Sequence, residues 1–156
     1  MPEKAIPQDA GHAVDPDSSH MPEATPGERP AIAAAVVVQD GRLLLVQRRV
    51  AEGSLSWQLP AGAVEHRETF AAAAARETAE ETGLVVAAVT TLGERVHPDT
   101  GRLIGYVACR VQEGTAHVAD IDEVQDVAWV ALAELSGYVP RGFATDVRNY
   151  LVAALG

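Results

Sequence analysis

The chain has 156 residues, a length that suits one domain, and a formal net charge of -10. Hydrophobic residues make up 47% and aromatics 4%, so the core must be built mainly from Ala, Val and Leu. That charge excludes a general attraction to nucleic acid or to an anionic membrane, and phosphate groups can be handled only through local basic side chains or bound cations. The single cysteine, Cys109, rules out an intrachain disulfide and fits a reducing, cytoplasmic setting. It lies in the apolar alternation GYVACRV and reads as a buried strand residue rather than a reactive thiol. The opening MPEKAIPQDAGHAVDPDSSH lacks the basic start and apolar stretch of a signal peptide. The longest apolar run, Ala31 to Val38, is far shorter than the roughly 20 residues of a membrane span.

Residues 1–29 hold five of the nine prolines, carry a net charge of -4 and show no apolar periodicity. They are expected to form a disordered tail, with the folded domain over residues 30–156. AIAAAVVV, then Asp40-Gly41, then RLLLVQRR predict strand, tight turn, strand. SLSWQLPAG predicts a short strand broken by Pro60 and Gly62. Thr69 to Thr82 is expected to be a helix, with Thr69 as N-cap and Gly83 as its stop. LVVAAVTTLGERV and LIGYVACRVQ are strands joined by the polar turn HPDTGR. Residues 113–123 form a polar loop with an acidic end. VQDVAWVAL is a further strand, and ATDVRNYLVAAL a final helix with Thr145 as candidate cap. Strands on both sides of a central helix imply an α/β fold, a mixed β-sheet with α-helices on its faces.

The central helix raises the functional question. Glu77, Glu80 and Glu81 stand at i, i+3 and i+4, so their carboxylates share one stripe, where like charges repel. Ala71, Ala75, Thr78 and Ala79 are expected on the opposite face, packed against the sheet. A solvated acidic face would explain the spacing. So would a site for a hard cation such as magnesium (Mg2+), which binds through oxygen and is shared with substrate phosphates. Arg76 lies four residues before Glu80, within reach to orient it, and Gly62, Glu65 and Glu68 precede the helix at a turn.

The stretch Gly62 to Leu84 resembles the Nudix box: Gly, five residues, Glu, seven residues, then Arg-Glu-apolar-any-Glu-Glu-any-Gly-apolar. The matching residues are Gly62, Glu68, Arg76, Glu77, Thr78, Ala79, Glu80, Glu81, Thr82, Gly83 and Leu84. Every charged and glycine position is filled. Thr78 stands where an aliphatic residue is usual, and Arg67 where relatives often have Gly. The resemblance implies a Nudix fold, the mixed sheet lying between α-helices, and a hydrolase acting on phosphoric anhydride bonds of a nucleoside diphosphate linked to another group.

By the same resemblance, Glu77, Glu80 and Glu81 bind Mg2+, with manganese (Mn2+) as a substitute, and a backbone carbonyl near Ala61 adds a contact. Arg76 holds Glu80, and Glu68 supports the network by a hydrogen bond. A loop acid, Glu123, six residues before Trp129, completes the site, with Asp120 and Asp122 as competitors and a solvated loop as the plain alternative. The general base is one of Glu77, Glu81 and Glu123. Arg48 or Arg49 touches the phosphate chain; strand alternation puts them on opposite faces, which favours one of the two. Trp57, Trp129, Tyr106 and Phe143 are candidates to stack on a base, although both tryptophans also suit the core. His97 precedes Pro98 in a turn, and the other four histidines show no metal-ligand spacing.

The short chain and the Glu123 spacing favour a MutT-like enzyme that splits a (deoxy)nucleoside triphosphate to the monophosphate and pyrophosphate. Pro98, 14 residues beyond Leu84, nearly matches a marker of ADP-ribose hydrolases, so ADP-ribose or nucleotide-sugar hydrolysis is the alternative. A non-catalytic nucleotide-sensing domain is the alternative of another class, and the undamaged box argues against it. The partners implied are a small-molecule nucleotide, with no nucleic acid and no membrane, for a monomer or homodimer.

Overall fold

The structure, a computed structural model, describes residues 29–49 and 55–156. The tail expected over residues 1–29 lies outside the described residues except for Arg29. Strands β1 (Ile32–Gln39) and β2 (Arg42–Arg49) are joined at Asp40 and Gly41, whose φ values of 53° and 73° are those of a two-residue hairpin turn. β3 (Leu55–Gln58) and β4 (Ala61–Ala63) follow, then helix α1 (Phe70–Thr82). β5 (Val85–Val96), β6 (Leu103–Glu113) and β7 (Val124–Ala131) complete the strands. A 3-10 turn, Leu132–Glu134, runs into the short helix α2 (Leu135–Tyr138), and α3 (Thr145–Leu155) ends the chain.

Among the described residues the strands form one seven-stranded sheet in the order β3-β2-β1-β6-β5, with β4 paired to β1 and β7 to β2. β1 and β6 run parallel, and the other pairs are antiparallel. β1 is apolar on both faces because it is covered on both. Ala33, Ala35 and Val37 pack with Phe70, Ala73 and Ala74 of α1. Ala34 and Val36 turn the other way, towards Leu135 of α2 and Val147 and Leu151 of α3. The mixed sheet thus lies between helices, in the α/β Nudix architecture expected. Cys109 is buried in the first of these cores, and burial pushes its thiol up to about 12. No helix of the described residues is long and apolar enough to cross a membrane.

Local chemistry explains most element ends. Thr69 caps α1, its Oγ1 accepting the Ala72 amide at 3.0 Å, and Gly83 ends the helix in the left-handed conformation with φ 77°. Thr78, the unusual residue of the box, is fully buried, and its hydroxyl donates to the Ala74 carbonyl at 2.8 Å. Its methyl packs and its polar atom is satisfied, so the departure leaves no orphaned group.

Four expectations need correction. Pro60 interrupts the strand, but Gly62 does not; it lies inside β4, paired with Ala33. Thr145 does not cap α3. It is the first helical residue, and the cap position falls to Ala144, which has no side-chain acceptor. The packing face of α1 is Phe70, Ala73, Ala74, Thr78 and Thr82, spaced by three and four, whereas Ala79 is exposed. Glu81 is buried on that same face rather than opposite it. The turn over residues 132–138 was not legible, being too short to show a period.

Arg67 has φ 65°, in the left-handed region that favours glycine. A glycine would take this conformation without strain. Arg67→Gly should raise stability by about 0.5–1 kcal/mol, since relief of backbone strain outweighs the added freedom of the unfolded chain. Urea unfolding at equilibrium measures this; an unchanged or lower midpoint would show that Arg67 is unstrained.

Candidate active site

The site begins where α1 crosses β4. At Gly62 an added Cβ would collide with the carboxyl group of Glu77. The glycine is therefore a matter of space, not of backbone freedom: only a residue without a side chain lets the Glu77 carboxylate lie against the strand.

Arg76 gathers the acids on one side. Its Nε and Nη2 donate to the two oxygens of Glu68, both at 2.8 Å, in a two-pronged pair. Its Nη1 donates to Glu77 at 2.8 Å, and Nη2 also reaches the Ala63 carbonyl at 3.0 Å. Glu80 is a longer contact at 3.3 Å, and Glu65 lies 3.7 Å away. The expectation that Arg76 holds Glu80 is thus met only weakly, and its firm partners are Glu68 and Glu77. Glu68 also accepts the Glu65 amide at 2.9 Å, which closes the loop before the helix. The Arg76 hydrogen bonds, ahead of the opposing effect of burial, hold the Glu68 carboxyl below its usual range.

Arg48 gathers the acids on the other side. Its Nη2 donates to Glu81 at 2.7 Å, and its Nη1 lies 3.8 Å from Glu123. Strand register produces this meeting, because Arg48 pairs with Val124 of β7, next to Glu123. The loop before β7 is pinned to the end of α1, where the amides of His117 and Ala119 donate to the carbonyls of Thr82 and Glu81. Asp120 caps its own turn by accepting the Asp122 amide at 3.1 Å. The loop acid that reaches Arg48 is therefore Glu123. Arg49 points elsewhere and donates to Gln125.

The three helix acids differ sharply in environment. Side-chain exposure is 53% for Glu80, 14% for Glu77 and 4% for Glu81. Burial pushes the Glu77 carboxyl up, against the opposing pull of Arg76. Burial also pushes Glu81 up to about 7, although Arg48 and the Ala61 backbone amide both favour its charged form. Six carboxylates share two guanidinium groups across the cluster. All-oxygen donors, excess negative charge and buried acids that resist ionisation fit a hard divalent cation. Among the described residues no three acids, histidines or cysteines are drawn together tightly enough to hold a metal as they stand.

A cleft of about 480 Å³ opens beside the cluster and meets it at Ala61. Trp57, Tyr106 and Phe143, three of the four aromatic candidates, line it. Trp57 is fixed edge-on to Tyr138, with ring centroids 5.1 Å apart. Trp129 does not line it; it packs against the core under α1. His97 is also in the wall, where its Nδ1 accepts the Asp99 amide at 3.1 Å and closes the turn. Sequence reasoning missed Arg95, Asp99 and Arg141. Arg95 donates to the Tyr106 hydroxyl at 3.2 Å, and Arg141 lies 3.8 Å from Asp99. These residues come from separate segments, and none carries a local signal.

The fold and this acidic cluster are those expected of a Nudix domain. The NUDIX domain family matches residues 27–153, and the chain belongs to that family. It is 33% identical over 124 residues to a MutT-like protein of Streptomyces ambofaciens, a match covering 80% of this chain and 77% of the relative. A Mycobacterium tuberculosis protein bearing the mutator-protein name MutT4 is 39% identical over 119 residues; the match covers 70% of this chain but 42% of that longer protein. A NUDIX hydrolase structure from Nitrosomonas europaea superposes with a TM-score of 0.69 at 21% identity, covering 81% of this chain and 91% of that one, a likeness of fold.

Two outcomes follow from this geometry. Gly62→Ala should push the Glu77 carboxylate off β4 while the fold persists, and should weaken Mn2+ binding measured by calorimetry; unchanged affinity would show that the contact is unimportant. Glu81 has a folded pKa near 7, above its unfolded value, so its contribution to metal-free stability is full below about pH 4.5 and is lost as pH rises through 7. Burial and, less, the neighbouring Glu77 raise that pKa, while Arg48 and the Ala61 amide oppose the rise. Glu81→Gln should remove a loss on the order of 3 kcal/mol between those pH values, seen by comparing denaturation of the two proteins with a chelator present.

Proposed function

We propose that the site hydrolyses a nucleoside diphosphate linked to another group, and that its substrate is a (deoxy)nucleoside triphosphate cut to the monophosphate and pyrophosphate. The observation that carries this reading is the meeting of the acid cluster and the aromatic-lined cleft at Ala61. A diphosphate over Glu77 and Glu81 has its nucleoside at the mouth of that cleft. The MutT names of both relatives agree with the MutT-like reading.

In this reading Glu77, Glu80, Glu81 and Glu123, with the Ala61 carbonyl, hold Mg2+, for which Mn2+ can substitute. Bound divalent ions neutralise the phosphates and make a bound water more acidic. Arg76 keeps Glu68 and Glu77 in place, so that the acids do not spread apart under their own repulsion. Arg48 binds the phosphate chain, and Arg49, tied to Gln125, does not. Trp57, Tyr106 and Phe143 bind the base. Glu123 is the general base: it is exposed and only loosely paired, whereas Glu77 and Glu81 are buried acids suited to holding cations.

A second reading, ADP-ribose or nucleotide-sugar hydrolysis, draws support from Pro98. It lies in the cleft wall with Arg95 and Arg141, two cations suited to a second polar group. Glu80→Gln or Glu81→Gln should lower turnover by about 10²–10⁴-fold or more with the fold intact. The test is a screen of (d)NTPs, oxidised dGTP, ADP-ribose, nucleotide sugars and diadenosine polyphosphates with Mg2+, with products identified. Near-normal activity in either variant would sink the metal-site reading. Preference for ADP-ribose would replace the first substrate by the second. Tight nucleotide binding with no product in Mg2+ or Mn2+ would instead indicate a sensing domain.

A further inference from the structure

We infer that Arg48 is an internal cation that competes with the divalent ion for Glu81, so that metal binding exchanges one positive partner for another and releases Arg48. The inference rests on the reading of Glu81 as a metal-binding acid. Three observations carry it. The Arg48 guanidinium sits on Glu81 at 2.7 Å, in a pair whose side chains are 16% and 4% exposed. It also lies 3.8 Å from Glu123, so one guanidinium stands between the buried helix acid and the loop acid. Its Nε is buried and finds no hydrogen-bond partner among the described residues, so the pose satisfies the acid better than the arginine.

Charge forces the exchange. Glu81 is too buried to remain ionised without a cation against it. Arg48 supplies that cation in the metal-free protein. A divalent ion at the same carboxylate makes the arginine redundant, and two cations on one buried acid repel each other. The released guanidinium lies beside the proposed phosphate-binding region with its donors unpaired. The alternative, that Arg48 positions Glu81 for the metal, predicts the opposite sign. A positioning arginine strengthens metal binding, whereas a competing one weakens it.

The test is Mn2+ affinity, measured by electron paramagnetic resonance of the free ion, for the wild-type chain, Arg48→Met and Arg49→Met. Arg48→Met should bind Mn2+ about 5-fold more tightly or better. Arg49→Met removes an equal charge one residue away and should leave affinity close to the wild-type value. Looser or unchanged binding in Arg48→Met overturns the exchange, as does equal tightening in both variants, which would be a general field effect. Absence of Mn2+ binding to the wild-type chain overturns the exchange and the metal-site reading together. A second measurement holds even where Arg48→Met fails to fold. In the wild-type chain the Arg48 Nε–H resonance, assigned with Arg48→Lys, should shift and exchange faster with water as Mg2+ alone is added. A resonance that stays fixed at saturating Mg2+ overturns the inference.

Discussion

Buried carboxylates must be matched by positive charge, and in this protein the matching is deliberately incomplete. Glu77 and Glu81 lie on the inner side of α1, where helix and sheet exclude water. Two arginines, from α1 and from β2, supply the only guanidinium contacts to the cluster among the described residues. Burial of acids that are short of cations is unfavourable, and it persists only because the rest of the domain holds them there. The capped helix, the Ala-rich core under it and the bare Gly62 surface all serve that placement.

The same constraint accounts for the composition of α1. A helix that lies close to a sheet needs small residues at the contact, and Ala73 and Ala74 provide them, with Phe70 anchoring the start. Close approach brings Glu77 down onto β4 and Glu81 towards Arg48. Were Ala73 or Ala74 larger, the helix would rise and both acids would meet water, where their charges cost little and bind cations weakly. The strong acidity of the chain is therefore compatible with the proposed polyanionic substrate, since positive ions held at this point would stand between the two.

The helix, its caps, the hairpin at Asp40-Gly41 and the strand positions were legible because each has a local cause: a period, a capping hydroxyl, a turn pair. The box acids were legible for the same reason, since their spacing fixes them on one helix. Legibility failed where the cause was distant. The face of α1 was misassigned because alanines occur all around the helix and composition alone gives no direction. Thr145 looked like a cap, but the backbone enters the helix one residue earlier. That Arg48 and not Arg49 meets the acids depends on the β2–β7 register and an irregularity beside Arg48, neither of which has a signature in the chain. Trp57 and Trp129 looked equivalent in sequence and lie in different environments because they occupy different strands of the sheet.

That distinction also separates chemistry from substrate choice. Three of the four acids that would hold cations, Glu77, Glu80 and Glu81, lie on α1, so their geometry is set by a single helix. The cleft wall is assembled from β1, β3, the start of β4, the end of β5, the β5–β6 turn, β6 and the segment between α2 and α3. Arg95 and Tyr106 meet across neighbouring strands, and Arg141 reaches Asp99 from the far end of the chain. Residues on separate segments can vary independently, whereas acids on one helix turn share one face and constrain each other. A domain built this way keeps its acidic centre fixed while the pocket beside it is free to change.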